Sequence, residues 1–273
     1  MAYDTVNYWS EIKLEIVRDY ASAYSTILSR RPRLYHMYID AFAGAGVHIS
    51  RATNTFIPGS PLNALLVSPP FKEFHFIDIE GEKVESLRGL VGHQPQVHIY
   101  NGDCNQILLS DVFPKVQYRD YRRALCLLDP YGLHLNWQVI HQAGQMKTID
   151  MFLNFPTMDM NRNVLWSNPD VVGEAQVARM TRFWGDDSWR AVAYSTRNLF
   201  DMEMKSPNAA REVVGAFRQR LKTVAGFENV PDPLPMRNSA GAIVYYLFFA
   251  SPKAVAGKIV RDIFSKHRSR GGT

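Results

Sequence analysis

The sequence predicts an α/β fold in which a mostly parallel sheet is covered by helices on both faces. Between residues 35 and 155, five apolar segments of strand length alternate with segments of helical character. These strands also lack the strict apolar–polar alternation of a half-exposed sheet, which is typical of strands that are buried on both sides. Both observations favour parallel strands joined by helical crossovers.

The first elements follow from local signals. Apolar and aromatic residues recur about every four positions from Tyr8 to Ile27, which predicts a helix that Pro32 stops. A strand over residues 35–42 follows, and then a loop over residues 47–59. Ser60-Pro61 predicts a helix start, with serine as the cap and proline in the first turn.

The same reasoning assigns the rest of the chain. Further strands are predicted over residues 74–79, 97–100, 124–129, 149–155 and 242–250. Further helices are predicted over residues 82–91, 105–113, 137–146 and 211–224, with a last one from Ser251-Pro252. We expect a single domain over residues 1–273, with an N-terminal helix in 1–30. A tryptophan- and methionine-rich helical insertion is expected beside the site over 157–200, and a basic C-terminal helix and tail over 252–273.

Composition excludes several classes of protein. A chain of 273 residues with 46% hydrophobic and 21% charged residues can form a packed core, so global disorder is excluded. Two cysteines cannot build a disulfide framework or a cysteine zinc site. No apolar run is long enough to cross a bilayer, and the N-terminus lacks a secretory pattern, so we expect a cytoplasmic protein without a membrane partner.

The positive charge is concentrated in a few places. The formal net charge is +5, and residues 253–273 hold six Lys/Arg and one Asp, which accounts for the whole excess. Smaller basic clusters lie at residues 30–33 and 119–123. Such patches can contact nucleic-acid phosphates. A solvated helix face and a frayed tail are the alternative interpretation.

The end of the first strand carries Asp40 and the glycine pair Gly44 and Gly46. Glycines there allow a ligand to approach the backbone closely. The third glycine of a dinucleotide fingerprint is replaced by Ile49, and no Gly-Lys-Ser/Thr sequence occurs, so pyrophosphate binding is disfavoured. A nucleoside without phosphates stays open, as does a simple tight turn.

Acidic residues end the next two strands. Asp78 could accept hydrogen bonds from both hydroxyls of a ribose, and Glu80 is a competing candidate for that role. Asp103 could accept a hydrogen bond from the amino group of an adenine ring. The alternative for both aspartates is that they cap the helices that follow.

The fourth strand ends in Asp129-Pro130-Tyr131-Gly132, which matches a type I turn. The same residues suit an exocyclic amine, because Asp129 could accept its hydrogens and Tyr131 could stack on an extruded base. Histidines do not form a zinc-hydrolase pattern, and no Gly-x-Ser-x-Gly elbow is present.

Taken in order, these strand-end signatures resemble the Rossmann-like class I S-adenosylmethionine-dependent methyltransferases. More closely, the chain is similar to the three-Cys-motif partner family, TcmP. The matching stretches are residues 38–46, Gly59-Ser60-Pro61, Phe76-Ile77-Asp78, Gly102-Asp103-x-Asn105, residues 128–132, Asn154-Phe155-Pro156 and residues 244–250.

The resemblance implies a methyltransferase sheet of about seven strands with an antiparallel C-terminal strand. It implies S-adenosylmethionine as cofactor, with the methionine part near Asp40, Phe42, Gly44, Gly46 and Ser60, the ribose at Asp78 and the adenine at Asp103. Asp129, Pro130, Tyr131 and Asn154 would form the catalytic set. A companion protein with a three-cysteine motif, resembling a radical S-adenosylmethionine enzyme, is implied as partner.

Three functions follow as hypotheses. The first is methyl transfer to an exocyclic amine of a nucleic-acid base. Asp129-Pro130-Tyr131-Gly132 is similar to the Asp/Asn-Pro-Pro-Tyr sequence of amino-methyltransferases but lacks its second proline, which favours the second hypothesis, a partner module without turnover. The third is a nicotinamide-dependent oxidoreductase, which the absent third glycine disfavours.

Overall fold

The protein is described by a computed structural model that covers residues 3–197 and 203–268. The strands are β1 (Thr5–Val6), β2 (Tyr35–Asp40), β3 (Val47–Ser50), β4 (Phe56–Pro58), β5 (Glu73–Asp78), β6 (Val97–Asn101), β7 (Arg122–Leu128), β8 (Ile149–Phe155), β9 (Thr196–Arg197), β10 (Glu203–Met204), β11 (Leu234–Arg237) and β12 (Ile243–Ala250). The α-helices are α1 (Tyr8–Ser29), α2 (Ser60–Leu65), α3 (Gly81–Val91), α4 (Cys104–Ile107), α5 (Trp137–Met146), α6 (Thr157–Asn163), α7 (Glu174–Trp184), α8 (Trp189–Ala193), α9 (Ala209–Thr223) and α10 (Ala254–Arg268).

Seven strands form the central sheet, in the order β11-β12-β8-β7-β2-β5-β6. The five strands from β8 to β6 are parallel, and β12 runs antiparallel to both of its neighbours. The prediction of a sheet of about seven strands, mostly parallel with an antiparallel C-terminal strand and flanked by helices, is therefore confirmed.

Both faces of the sheet are buried, as the continuous apolar strands predict. Along β2, Met37 and Ile39 pack into one core and Tyr38 into the other. The first core lies under α5, α7 and α9, and the second under α1 and α10. Because side chains alternate across a strand, an apolar residue at every position requires a helical layer on each side.

Four segment predictions were inaccurate. Residues 47–59 are not one loop, since β3 and β4 pair within them and β1 joins β3. Strand β11 has no counterpart among the predicted strands. Residues 105–113 are not one α-helix, because α4 runs into a π turn and a 3₁₀ turn. The last helix begins at Ala254, after Ser251-Pro252.

The insertion after β8 is helical, with α6, α7 and α8 joined by a short 3₁₀ turn. Met180, Trp184 and Trp189 lie in the core, while Trp166 is 44% exposed. Residues 198–200 of the predicted insertion and residues 269–273 of the basic tail lie outside the described residues. Within residues 3–197 and 203–268, no helix is both long and apolar enough to cross a membrane.

Candidate functional site

The predicted site residues meet at one edge of the sheet. Asp40 and Asp78 are the last residues of β2 and β5, and Asp129 directly follows β7. Asn154 lies near the end of β8, and Asp103 follows β6. Since these five strands are parallel, their carboxyl ends lie side by side. Asp78, Asp103, Asp129 and Asn154 are up to 76 positions apart in sequence and thereby border one crevice.

The larger of two cavities in this crevice has a volume of about 470 Å³. Its lining includes Phe42, Asp78, Glu80, Asp103 and Tyr131. The volume lies within the range of small-molecule sites, which is about 300–1,000 Å³. Most of this lining comes from the ends of β5 and β6, where the resemblance places ribose and adenine.

The sequence leaves Asp78 and Glu80 as alternative residues for binding the ribose, and the structure gives their carboxylates different surroundings. The Asp78 carboxylate accepts hydrogen bonds from the backbone N–H of Gly44 at 2.8 Å and of Glu80 at 2.9 Å. The carboxylate of Glu80 instead pairs with Lys83 at 2.8 Å. Asp78 is thus held at the floor of the crevice with one lone pair free on each oxygen, whereas Glu80 is a solvated partner of a lysine.

Asp103 caps α4. Its Oδ1 accepts from the backbone N–H of Asn105 at 2.9 Å and from the Asn105 side-chain amide at 2.9 Å. The helix-cap interpretation is therefore correct for this oxygen. Asp103 still lines the larger cavity, so capping and ligand binding are compatible there.

The smaller cavity has a volume of about 160 Å³ and adjoins the larger one. Phe42, Asp78 and Tyr131 line both. The side chains that line only the smaller cavity include Lys13, His48, Ser60, Asp129, Pro130 and Asn154. A ligand in the larger cavity would therefore lie next to the smaller cavity, which Asp129 lines.

Both oxygens of Asp129 are engaged by side chains. Its Oδ1 accepts a hydrogen bond from the amide of Asn154 at 2.8 Å, and its Oδ2 is ion-paired with the ammonium group of Lys13. The Lys13 side chain is 9% exposed and that of Asp129 24%. The side-chain oxygen of Asn154 (Oδ1) is buried without a hydrogen-bond partner. Asn154 and Lys13 thus orient the Asp129 carboxylate, and the side-chain oxygen of Asn154 is left as an unused acceptor.

Lys13 is a site residue whose position the sequence does not reveal. It lies in the middle of α1, which packs across the sheet and directs this side chain toward the end of β7. Its ammonium group also lies 5.6 Å from the centre of the Tyr245 ring. A lysine on the buried face of an otherwise apolar helical stripe is the only signal that the sequence offers.

His48 is a second such residue. It lies in β3, inside the stretch that was predicted to be a loop, and it lines the smaller cavity. Burial lowers its pKa, with Lys13 contributing in the same direction. Its Nδ1 is buried without a hydrogen-bond partner. The lowered pKa therefore keeps the His48 imidazole neutral at pH 7.

Two of the predicted cofactor residues do not line either cavity. Asp40 is completely buried beneath the crevice, where burial raises the pKa of its carboxyl group to about 7. Its Oδ1 accepts from the N–H of Phe42 at 3.2 Å. Gly46 has φ +84°, and a Cβ there would lie 2.7 Å from Leu87. Asp40 and Gly46 therefore shape the turn, while Phe42, Gly44 and Ser60 line the crevice.

No family model matches this chain, and no curated protein matches it. Among solved structures, the chain is similar to protein LPL1258 from Legionella pneumophila str. Philadelphia 1, whose description gives the family model DUF519. That match has a TM-score of 0.52 at 11% identity and covers 95% of this chain and 94% of the other. At this identity it shows a shared fold over nearly the whole length.

Methyltransferase structures also match, with lower scores. One is a putative methyltransferase from Thermobifida fusca YX, with a TM-score of 0.40 at 13% identity, covering 88% of this chain and 81% of the other. Another is a putative S-adenosylmethionine dependent methyltransferase from Listeria monocytogenes, with a TM-score of 0.40 at 10% identity, covering 86% and 98%.

Proposed function

We propose that the protein is an S-adenosylmethionine-dependent methyltransferase whose acceptor is an exocyclic amine of a nucleic-acid base. The observation that carries the proposal is the pair of adjoining cavities. One has the volume of a small-molecule site and two acidic strand ends, and the other holds Asp129, Asn154 and Lys13. Phe42, Asp78 and Tyr131 border both and would lie beside the transferred group.

The residues that are present fit this cofactor. Asp78 has a free lone pair on each oxygen for the two ribose hydroxyls, and Asp103 keeps Oδ2 for the adenine amino group. Gly44 has φ +63°, and its lack of a side chain keeps the backbone open where Asp78 approaches. When bound, the cofactor would supply a methyl group that is activated because its sulfonium sulfur leaves as a neutral thioether.

The chain's own contribution is positioning and electrostatics. Asn154 and Lys13 orient the Asp129 carboxylate, so that its remaining lone pairs face the smaller cavity and can accept amine hydrogens. The Tyr131 ring is 71% exposed at the cavity mouth and offers a face for stacking. The proton that the amine loses on methylation passes to solvent, because burial lowers the pKa of His48 and its Nδ1 is buried.

Two measurements on the purified protein test the proposal. Isothermal titration calorimetry should show binding of S-adenosylmethionine, and radiolabelled methyl groups should appear on DNA or RNA. Asp129→Ala should abolish transfer while it leaves the affinity for S-adenosylmethionine within about threefold. Equal loss of binding and transfer would refute this division of roles.

A second candidate is a partner module that works with a three-cysteine-motif protein, as the resemblance to TcmP implies. The observation that favours it is the occupied carboxylate of Asp129, whose two oxygens already have donors within the protein. Cofactor binding without transfer to DNA, RNA or such a companion would support this candidate. Transfer to any of them would support the enzyme.

Nucleic acid as the substrate class depends on the positive charge of the surface. If the basic segment over 252–273 contacts phosphates, the affinity for RNA or DNA should fall steeply as salt rises. Binding that does not change between about 50 and 200 mM salt would remove nucleic acid from the proposal.

A further inference from the structure

A third cavity lies at the opposite edge of the sheet from the candidate site. It has a volume of about 270 Å³ and lies at the starts of β7 and β8, between α1 and α10. Arg123 and Asp129 are six residues apart on one extended strand, which separates the two edges by roughly 20 Å. The cavity is therefore independent of the proposed methyl-transfer chemistry.

The interior of this cavity is apolar. Ile27, Leu28 and Ile259 line it, together with the rings of Tyr20 and Tyr24. For the part of a ligand that contacts only these groups, the binding free energy would come almost entirely from the burial of apolar surface.

One carboxylate, that of Asp150, belongs to the lining, but it is already satisfied. It accepts hydrogen bonds from the hydroxyl of Tyr20 at 2.6 Å and from the hydroxyl of Ser251 at 2.5 Å. The Asp150 side chain is buried, and these two hydroxyls compensate it. The floor therefore offers an apolar surface with its polar atoms already paired.

Four cationic side chains, none of them buried, also line the cavity and form its rim: Arg31, Arg123, Lys147 and Lys253. They come from four separate parts of the chain, including all three basic clusters that the sequence shows. Among the residues that the structure describes, none of the four has a carboxylate oxygen within 4 Å.

Two of these cations are held in place by neutral groups. Arg123 donates to a backbone carbonyl at 2.7 Å and lies 4.2 Å from the centre of the Tyr118 ring. Lys147 donates to the carbonyl of Gly226. Arg31 and Lys253 are exposed, and Lys253 directly precedes the 15-residue helix α10, whose N-terminal dipole adds positive potential.

We propose that this cavity binds a small amphipathic anion, with an aliphatic body inside and a single carboxylate at the cationic rim. Charge complementarity selects the head, since four cations face one compensated acid. The apolar interior selects the body, because a flat phosphate-binding surface for nucleic acid would have no use for it. The volume of about 270 Å³ limits the body to a short aliphatic chain, for which octanoate is the probe.

The test is calorimetric titration of the full chain with hexanoate, octanoate and decanoate, and with octanol as the neutral analogue. Each methylene that enters the cavity should tighten binding about fourfold, until the cavity is full. Octanoate should bind at least fivefold more tightly than octanol. Equal affinities for octanoate and octanol, or no dependence on chain length, would overturn the proposal.

Exposed rim residues supply variants that should not disturb folding. The double variant Arg31→Gln/Lys253→Gln should weaken octanoate at least fivefold and leave octanol within twofold. Arg33→Gln/Lys258→Gln removes the same charge from exposed residues outside the lining and should leave octanoate within twofold. Equal losses in the two double variants would show a general charge effect and contradict the assignment.

A charge placed at the mouth gives a second, independent check. Val255 is 58% exposed, lines the cavity and lies in the first turn of α10, where an acidic residue suits the helix dipole. Val255→Glu should therefore fold normally and weaken octanoate at least fivefold. Unchanged octanoate binding would refute the anion site. Displacement of octanoate by a short single-stranded oligonucleotide would indicate a nucleic-acid surface and contradict a site for a small amphipathic anion.

Discussion

Removing Lys13 should show how strongly the stability of the protein depends on the ion pair between Lys13 and Asp129. Lys13→Met keeps the length and apolar stem of the side chain but leaves Asp129 with only Asn154 as donor. Breaking a buried ion pair from one side costs about 3–5 kcal/mol. Because the Asp129 side chain is 24% exposed, water offsets part of that cost, and we expect a loss of about 2–3 kcal/mol.

A double-mutant cycle isolates the pair from the packing of either side chain. Asp129→Asn leaves Lys13 unpaired and should also destabilise the protein. Lys13→Met/Asp129→Asn has no unpaired charge, so it should lose less than the sum of the two single variants by about 2 kcal/mol.

Urea unfolding followed by circular dichroism measures the cycle. With a slope of roughly 3 kcal/mol per molar urea, the Lys13→Met midpoint should fall by about 0.7–1 M. Single-variant losses that add to the double-variant loss within about 0.5 kcal/mol would refute the reasoning, because the two charges would then act independently.

Three further outcomes follow from the structure. Asp78→Asn should weaken S-adenosylmethionine binding at least tenfold by calorimetry, whereas Glu80→Gln should change it less than twofold; the reverse order would assign the ribose to Glu80. The pKa of Asp40 is raised to about 7, so the folded state binds a proton that the unfolded state releases, and this residue lowers the free energy of unfolding as pH rises from about 4 to 7. Asp40→Asn should remove about 2–3 kcal/mol of that pH dependence in urea titrations at pH 5 and pH 8, and an unchanged dependence would contradict the shift. Gly144→Ala should lower the thermal midpoint strongly, since its Cβ would lie 2.1 Å from a backbone carbonyl oxygen, whereas Gly215→Ala, with nothing within 4 Å, should hold or raise it.

The sheet was predictable because its signals are local. Each parallel strand is a short apolar run that ends in a turn residue, and helical sequence separates it from the next parallel strand. Strand β11 lacks such a signal, because it has four residues at the edge of the sheet and contains Pro235, which cannot donate to a neighbouring strand. Strands β3 and β4 were missed because they have only four and three residues. They pair only with each other and with β1, outside the main sheet.

The candidate site was predictable only where a residue lies at a strand end. Asp78, Asp103 and Asp129 lie in the crevice because the topology brings strand ends together, and their roles stay predictions. Lys13 contacts Asp129 across 116 residues of sequence, and no local pattern indicates which way that side chain of α1 points. His48 was hidden for a related reason, since it enters the crevice from a short strand outside the main sheet.

The segment after β7 shows how one sequence can satisfy a turn and a site together. Gly132 has φ +64°, and a Cβ there would lie 2.8 Å from the Asp159 carboxylate, which accepts from the N–H of Leu133 at 3.2 Å and pairs with Arg179 at 3.0 Å. The helical insertion therefore holds this turn through Asp159 and Arg179.

Turn geometry accounts for only half of these four residues. Pro130 suits the second position of a turn, and Gly132 has a positive φ that favours glycine. The carboxylate of Asp129, by contrast, bonds to Lys13 and Asn154 rather than to the backbone of the turn. Tyr131 places an aromatic ring 71% exposed at the mouth of the crevice, where burial gains nothing. The residues that the turn does not explain are the two to which the proposed chemistry assigns a role.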